Sequence, residues 1–418
     1  MKKIHFTRFD YAAFMVFTAY AMGSIIVPLC LVSIAKDLGF PLDSGGMGMG
    51  GAVQLSRAVT VTLTLLLCGF LAARYGCRRP VGWSAVVMAL GVLMTAGANN
   101  YFILMTAIAI AGLGEGVIEG LATPMVSALH PDEPGRYVNF AHSFWAVGLV
   151  IATVLGGWLL QLGVEWRILA AAVCVCGMIP GFMLLAPAKN APVEPKDKTS
   201  KVFSDFGQLF LCRRFYIYLA AIFLAGGGEF GITFWCPAFV QIAFGSTAMA
   251  AGCATAVFAL GMIVSRMGSG VFVRDRHAPL LLIGASLLAA ATALTMLLSN
   301  SILLLFPLLF VAGMGAGPLW PTIQTLCARR LPELDSTMIF ILLSASGIPG
   351  CGVFSTLMGW VGDRYGIRAG FLLSPVCFLL CAVLIRLDNR RNATYISVKE
   401  VHHEGDTGNQ AAGGGGNN

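Results

Sequence analysis

The chain has 418 residues, 57% of them hydrophobic and only 11% charged, with a mean hydropathy of +0.80. Soluble domains average about 25% charged residues, so this composition excludes a water-soluble globule, and long continuous apolar runs favour spanning helices over a barrel. The net charge of +7 lies in short basic clusters between apolar runs, which is how membrane topology is written rather than a nucleic-acid-binding surface.

Taken in order, the apolar runs predict an all-α membrane protein with six spans in the first half, at roughly residues 11–34, 47–73, 80–98, 101–129, 137–162 and 166–187. Six more follow at roughly 215–243, 247–273, 278–298, 301–327, 337–361 and 367–386. Each is near the ~20 residues a bilayer requires. The first run is too long for a signal-peptide core and lacks an A-x-A-like site, so it is expected to be an uncleaved span. The segment 188–214, rich in Lys, Asp and Pro, is expected to be a cytoplasmic linker between domains 1–187 and 215–386. The polar tail 387–418 is expected to be disordered. Twelve scattered cysteines form no CxxC or Cys/His metal spacing and are expected to pack as small apolar residues.

Basic residues set the orientation. With both termini in the cytoplasm, the inner segments hold Lys2, Lys3, Arg8, Arg74, Arg78, Arg79, Arg136, the linker lysines, Arg274, Arg276, Arg329 and Arg330, while the outer loops hold only Lys36, Arg167, Arg364 and Arg368. Arg266, near the inner end of span 8, is expected to snorkel toward the same side.

Span 4 carries Glu115 and Glu119, four residues apart and therefore on one helix face. An ionisable group at membrane depth costs roughly 2.5–3.5 kcal/mol on insertion scales and marks a functional site by default. Internal repeats surround it. Ala111-Gly-Leu-Gly-Glu-Gly116 matches Ala312-Gly-Met-Gly-Ala-Gly317 at an offset of 201, and Gly69-Phe-Leu-Ala-Ala-Arg-Tyr-Gly76 matches Gly270-Val-Phe-Val-Arg-Asp-Arg276 at the same offset. Gly157-Trp-Leu-Leu-Gln-Leu-Gly163 matches Gly359-Trp-Val-Gly-Asp-Arg-Tyr-Gly366 at 202. Two equivalent six-span halves are the architecture of a rocking transporter with a midplane site.

Gly69, Arg74, Gly76, Arg78 and Arg79 form a pattern that resembles the signature of the major facilitator superfamily, G-x-x-x-D-R-x-G-R-R, with Ala73 where the signature has an aspartate and Cys77 near its end. Asp275, Asp363 and Arg364 stand at related places after spans 8 and 11. The resemblance covers essentially the whole spanning length. It implies two six-helix bundles, alternating access, a cavity lined by spans 1, 4, 7 and 10, and a monomer. More narrowly, span 4 and its loop resemble the fucose/galactose/hexose:proton symporter branch, where a glutamate five residues before a proline serves proton coupling; here Glu119 stands five before Pro124. The branch's span-1 aspartate is absent, with Ser24 at the matching position four before Pro28.

Candidate site residues follow. Glu119 is expected to bind the proton, the alternative being a structural carboxyl. Glu115 either titrates with it or pairs with Arg57. Arg57 either neutralises a glutamate or binds an anionic substrate. His142 is either a satisfied hydrogen-bonding residue or a proton relay. Glu229 follows Gly226-Gly-Gly228, which either lets span 7 unwind or packs closely against a neighbour. Trp145, Trp235 and Trp320 are candidates for stacking on a sugar, with Gln324 beside Trp320 as a further substrate contact. No G-x-x-x-x-G-K-[ST] run is present. The expectation is a secondary carrier rather than an enzyme, with no cofactor, metal or nucleic-acid partner. It moves a small polar metabolite, a monosaccharide or sugar derivative, by proton symport, with sodium as the alternative ion. Drug or metabolite export and organic-anion transport are the rival functions.

Overall fold

The computed structural model describes residues 6–130, 134–187, 211–272, 277–332 and 336–390. Twelve helices long and apolar enough to cross a membrane account for most of them, and the described residues contain no strand. They are α1 (Arg8–Asp37), α2 (Met47–Tyr75), α3 (Arg78–Ala96), α4 (Tyr101–Leu129), α5 (Pro134–Gln161) and α6 (Trp166–Leu185). The second set is α7 (Arg213–Ala243), α8 (Ala248–Phe272), α9 (Ala278–Leu298), α10 (Ile302–Arg330), α11 (Ser336–Tyr365) and α12 (Ile367–Arg390). The face where α1 begins and α12 ends is called proximal here, and the opposite face distal.

Local chemistry sets the helix ends. Thr7 and Asp10 form a reciprocal capping box that starts α1. Asn100 accepts from the Ile103 N–H at the start of α4, and Ser301 from the Leu304 N–H at the start of α10. Gly76, at φ +70°, closes α2, which explains that glycine of the signature. Arg78 donates to the carbonyls of Leu184 (2.7 Å) and Ala186 (3.2 Å) at the C-terminal end of α6. Arg74 lies over the Tyr75 ring, and Arg79 and Arg364 are exposed. Asp275 and most of the expected linker and tail (188–210, 391–418) fall outside the described residues.

The structure corrects one expectation and resolves two spans further. The tail does not begin at 387: α12 runs on to Arg390 because Asp388 is fully buried, accepting from Arg214 Nε (2.6 Å) and Tyr218 Oη (2.7 Å) and pairing with Arg330. Span 10 is not one unbroken helix; it divides into Ile302–Ala316 and Leu319–Arg330 around Gly317-Pro318. Span 7 does not unwind at its glycine run. α7 is continuous, and Gly226, Gly227 and Gly228 instead leave room for the Trp320, Phe354 and Phe378 rings.

The first bundle joins α1 to α5 and α6, α2 to α4, and α3 to α4 and α6; the second joins α7 to α8 and α11, α8 to α10, and α9 to α10. The repeated glycine motif explains this near-identity. A Cβ at Gly112 or Gly116 would strike the Arg57 or Val61 carbonyl of α2, and one at Gly114 the Ser84 carbonyl of α3. A Cβ at Gly313 or Gly317 would strike the Phe258 or Met262 carbonyl of α8, and one at Gly315 the Ala285 carbonyl of α9. Every member of the second set lies 201 residues after its counterpart. Arg167 and Arg368 keep the same offset, donating to the Ala98 carbonyl (3.1 Å) and the Ser299 carbonyl (2.8 Å).

The bundles meet along α2–α11, α5–α8 and α1–α7. Toward the distal face these seams close backbone to backbone. Gly51 sits on the Ser355 carbonyl and Gly359 on that of Met47; Gly252 sits on the Thr153 carbonyl and Gly157 on that of Ala248. Asp363 adds a cross-seam cap, its two carboxylate oxygens accepting from the Met47 (2.8 Å) and Gly48 (2.7 Å) N–H groups at the start of α2.

Candidate functional site

Prolines within helices create the first elements of the site. Pro28 has no N–H to offer the Ser24 carbonyl four residues back, and Pro321 has none for that of Gly317. An arginine from the second helix of each bundle takes up the free carbonyl. Arg57 Nη1 donates to Ser24 O (3.3 Å), and Arg266 Nε donates to Gly317 O (2.8 Å).

Each of these arginines also pairs with a buried glutamate. Arg57 Nε binds Glu115 Oε2, and Arg266 Nη2 binds Glu229 Oε1 at 3.1 Å. Arg57 thus ties α1, α2 and α4 together, and Arg266 ties α7, α8 and α10. The two ties join equivalent helices of the two bundles but at positions the 201-residue offset does not relate, and the glutamate comes from the fourth helix of the first bundle and from the first helix of the second. Glu115 stands in an ion pair with Arg57, one of the two sequence alternatives. Arg266 is a correction, since it does not snorkel toward the proximal face but turns inward to Glu229.

Glu119 is different. It is partly exposed on α4 and faces Tyr20 of α1 and Ser344 of α11, with Arg266 and Glu229 across the seam. Among the described residues no lysine or arginine forms an ion pair with it. Ser344 also accepts from Gln324 Nε2 (3.0 Å), so Glu119, Ser344 and Gln324 form a polar line running from the first bundle into α11 and α10. One turn toward the proximal face, Thr123 Oγ1 and His142 Nε2 share a hydrogen bond of 2.7 Å, and the imidazole lies 4.7 Å from the Phe17 ring.

The tryptophans separate. Trp320 is partly buried, its ring over Gly226 of α7 and Gly347 of α11. Trp145 is buried against Phe230 of α7, with ring centroids 6.3 Å apart. Trp235 is packed at the seam with its indole N–H donated to the Ser355 carbonyl (2.9 Å), and it lines neither of two small cavities close by. One lies between α1, α2, α4 and α7 and is walled by Ser24, Gln54, Arg57, Thr95, Glu115 and Phe234. The other lies in the seam, walled by Tyr20, Gln54, Arg57, Phe230, Ile348 and Cys351. Sequence reasoning missed Tyr20, Gln54, Phe230, Ser344 and Arg266. For Arg266 a signal existed in Pro321, whose missing N–H frees the carbonyl that the arginine reaches.

Two six-helix bundles related by an internal repeat, with buried ionic groups gathered at their seam, define an integral membrane carrier. The chain matches the Major Facilitator Superfamily over residues 12–352 and belongs to it. It is 24% identical over 384 residues to the purine ribonucleoside efflux pump of Escherichia coli strain K12, covering 88% of this chain and 91% of that one. The pump of the same name from Shigella boydii serotype 4 gives the same figures. Among solved structures, the D-xylose-proton symporter aligns with a TM-score of 0.71 at 13% identity, over 90% of this chain and 96% of that one. The E. coli fucose:proton symporter aligns at 0.63 with 18% identity, over 91% and 98% of the two chains.

Proposed function

We propose that this protein is a proton-coupled carrier of a small neutral metabolite bearing a sugar, working by alternating access between the bundles 1–187 and 215–386 as a monomer. One observation carries the coupling. Among the described residues the membrane interior holds three carboxylates and two guanidiniums, and the unmatched acid is Glu119. It stands at the seam, where a change in its charge is felt by both bundles. Protonation makes the interior neutral and release of the proton restores the charge, so the two reorientation steps of the cycle differ in charge. His142, one turn toward the proximal face, serves as the group through which the proton passes. The basic residues near the proximal ends support a cytoplasmic location for that face and for both termini, in a plasma or inner membrane.

A ribonucleoside is the favoured cargo, because the likeness to the purine ribonucleoside efflux pump runs over most of both chains and aromatic rings from Tyr20, Phe230 and Trp320 stand around the seam. Proton antiport would then export it. Monosaccharide symport is the second reading, supported by the position of Glu119 before Pro124. The test is transport in proteoliposomes of purine ribonucleosides, hexoses and deoxyhexoses, with and without a proton gradient, for wild type and Glu119→Gln. The expected outcome is gradient-driven accumulation in wild type, with only gradient-independent exchange left in the variant. Equal accumulation by both proteins refutes the assignment of Glu119, and movement of hexoses alone selects the symport reading.

A further inference from the structure

Gln54 and Arg57 wall both cavities, so the two form neighbouring lobes of one region. In the lobe between α1, α2, α4 and α7, Glu115 is 1% exposed. Arg57 holds its Oε2, while Oε1 has no hydrogen-bond partner among the described residues. Oε1 faces Gly23, where a Cβ would lie 3.9 Å away. Gln54 is 5% exposed and lines both lobes. Buried polar atoms are almost always hydrogen-bonded. Glu115 Oε1, which is not, stands in the wall of one lobe with Gln54 and marks a place where a ligand supplies the partner.

The donor inventory narrows that ligand. A carboxylate oxygen only accepts, a primary amide both donates and accepts, and a guanidinium only donates. Arg57 already neutralises Glu115, so a cation gains no net attraction there and an anion meets the carboxylate. A neutral group that both gives and takes hydrogen bonds fits. Adjacent hydroxyls do this: one donates to Glu115 Oε1 while its neighbour exchanges bonds with the Gln54 amide. Val27, Pro28, Ile108 and Phe234 give the lobe an apolar side for the C–H face of a ring.

We propose that Glu115 and Gln54, braced by Arg57, form a subsite for a vicinal diol of the substrate, with the rest of the molecule directed toward Tyr20 and Phe230 once the bundles part. This rests on the sugar-bearing substrate of the preceding subsection and adds the recognition that such a substrate needs. It also separates two carboxylates one helical turn apart: Glu115 reads hydroxyls and Glu119 carries the proton.

The test is competition binding to the purified full chain, with a labelled ribonucleoside and a labelled hexose as probes. Competitors are the parent compounds, their 2′-deoxy, 3′-deoxy and dideoxy ribonucleoside analogues, and the corresponding deoxyhexoses. Loss of one recognised hydroxyl leaves a buried group unpaired and should weaken competition roughly tenfold to a hundredfold. In Gln54→Met, which keeps the side-chain length, parent binding should fall and the preference for the diol should shrink toward parity, with an unchanged melting temperature of the unliganded protein as the folding control. Should that variant not fold, wild-type discrimination alone decides. Deoxy analogues that compete as well as the parent overturn the subsite while leaving the carrier reading intact, as does full discrimination in a folded Gln54→Met. Absence of binding by every nucleoside and hexose overturns the subsite together with the substrate reading.

Discussion

Arg57 and Arg266 each meet two demands, a glutamate and a carbonyl that a proline leaves unserved. Removing one partner from such an arrangement is costly because the other charge stays buried. Arg266→Gln should therefore destabilise the protein by about 3–5 kcal/mol, seen as a lower melting temperature in detergent. Replacing both members, as in Arg266→Met with Glu229→Met, should recover much of that loss, since a matched apolar pair avoids the cost of a lone charge. Failure of the double variant to recover would assign the larger share to the bond with the Gly317 carbonyl. Glu119 has no such partner, so Glu119→Gln should leave the melting temperature nearly unchanged while altering coupling. A large loss of stability in that variant would make Glu119 a structural carboxyl.

At the level of helices, the glycine motif of α4 and α10 is a packing device used twice. Gly114→Val and Gly315→Val should lower the melting temperature by similar amounts, since each pushes a fourth helix off the third at equivalent carbonyls. Unequal losses would show that one bundle tolerates separation better. This device was legible in the sequence because a backbone approach must be written as glycine at fixed spacing. Helix number was legible for a similar reason, since a bilayer demands length and apolarity of each span. Glu115 and Glu119 stood out because carboxylates are rare at that depth. Ser344 did not, because short hydroxyls in apolar helices commonly bond back to their own backbone, as Thr60 and Thr64 do here, and Tyr20 did not, because its ring reads as apolar packing. Arg266 was misjudged because distance from a span end says nothing of direction; its target arises from a proline 55 residues further along the chain. The break in α10 carried a Gly-Pro signal that uniform apolarity concealed.

For the whole molecule, the two distal seams are alike in their glycines and unlike in their caps. Asp363 reaches across from α11 to cap α2, whereas α8 is capped locally by Thr247, the residue before it, whose Oγ1 accepts from the Ala250 N–H at 3.2 Å. Asp363→Ala should weaken closure at α2–α11 by about 1 kcal/mol, read as faster hydrogen exchange at Met47 and Gly48 with little change at Ala248–Gly252. Equal acceleration at both seams would mean that the bundles separate only as a unit. The unmatched carboxylate has a further consequence, for electrical work. With a neutral cargo in either half of the cycle, a carrier that turns with Glu119 protonated moves no net charge, while one that turns with Glu119 ionised carries a single negative charge. Membrane potential acts on an elementary charge with about 2.3 kcal/mol per 100 mV, so only the proton-free half of the cycle should feel it. At matched pH, an imposed potassium diffusion potential should change net flux through wild type and leave exchange through Glu119→Gln unaffected.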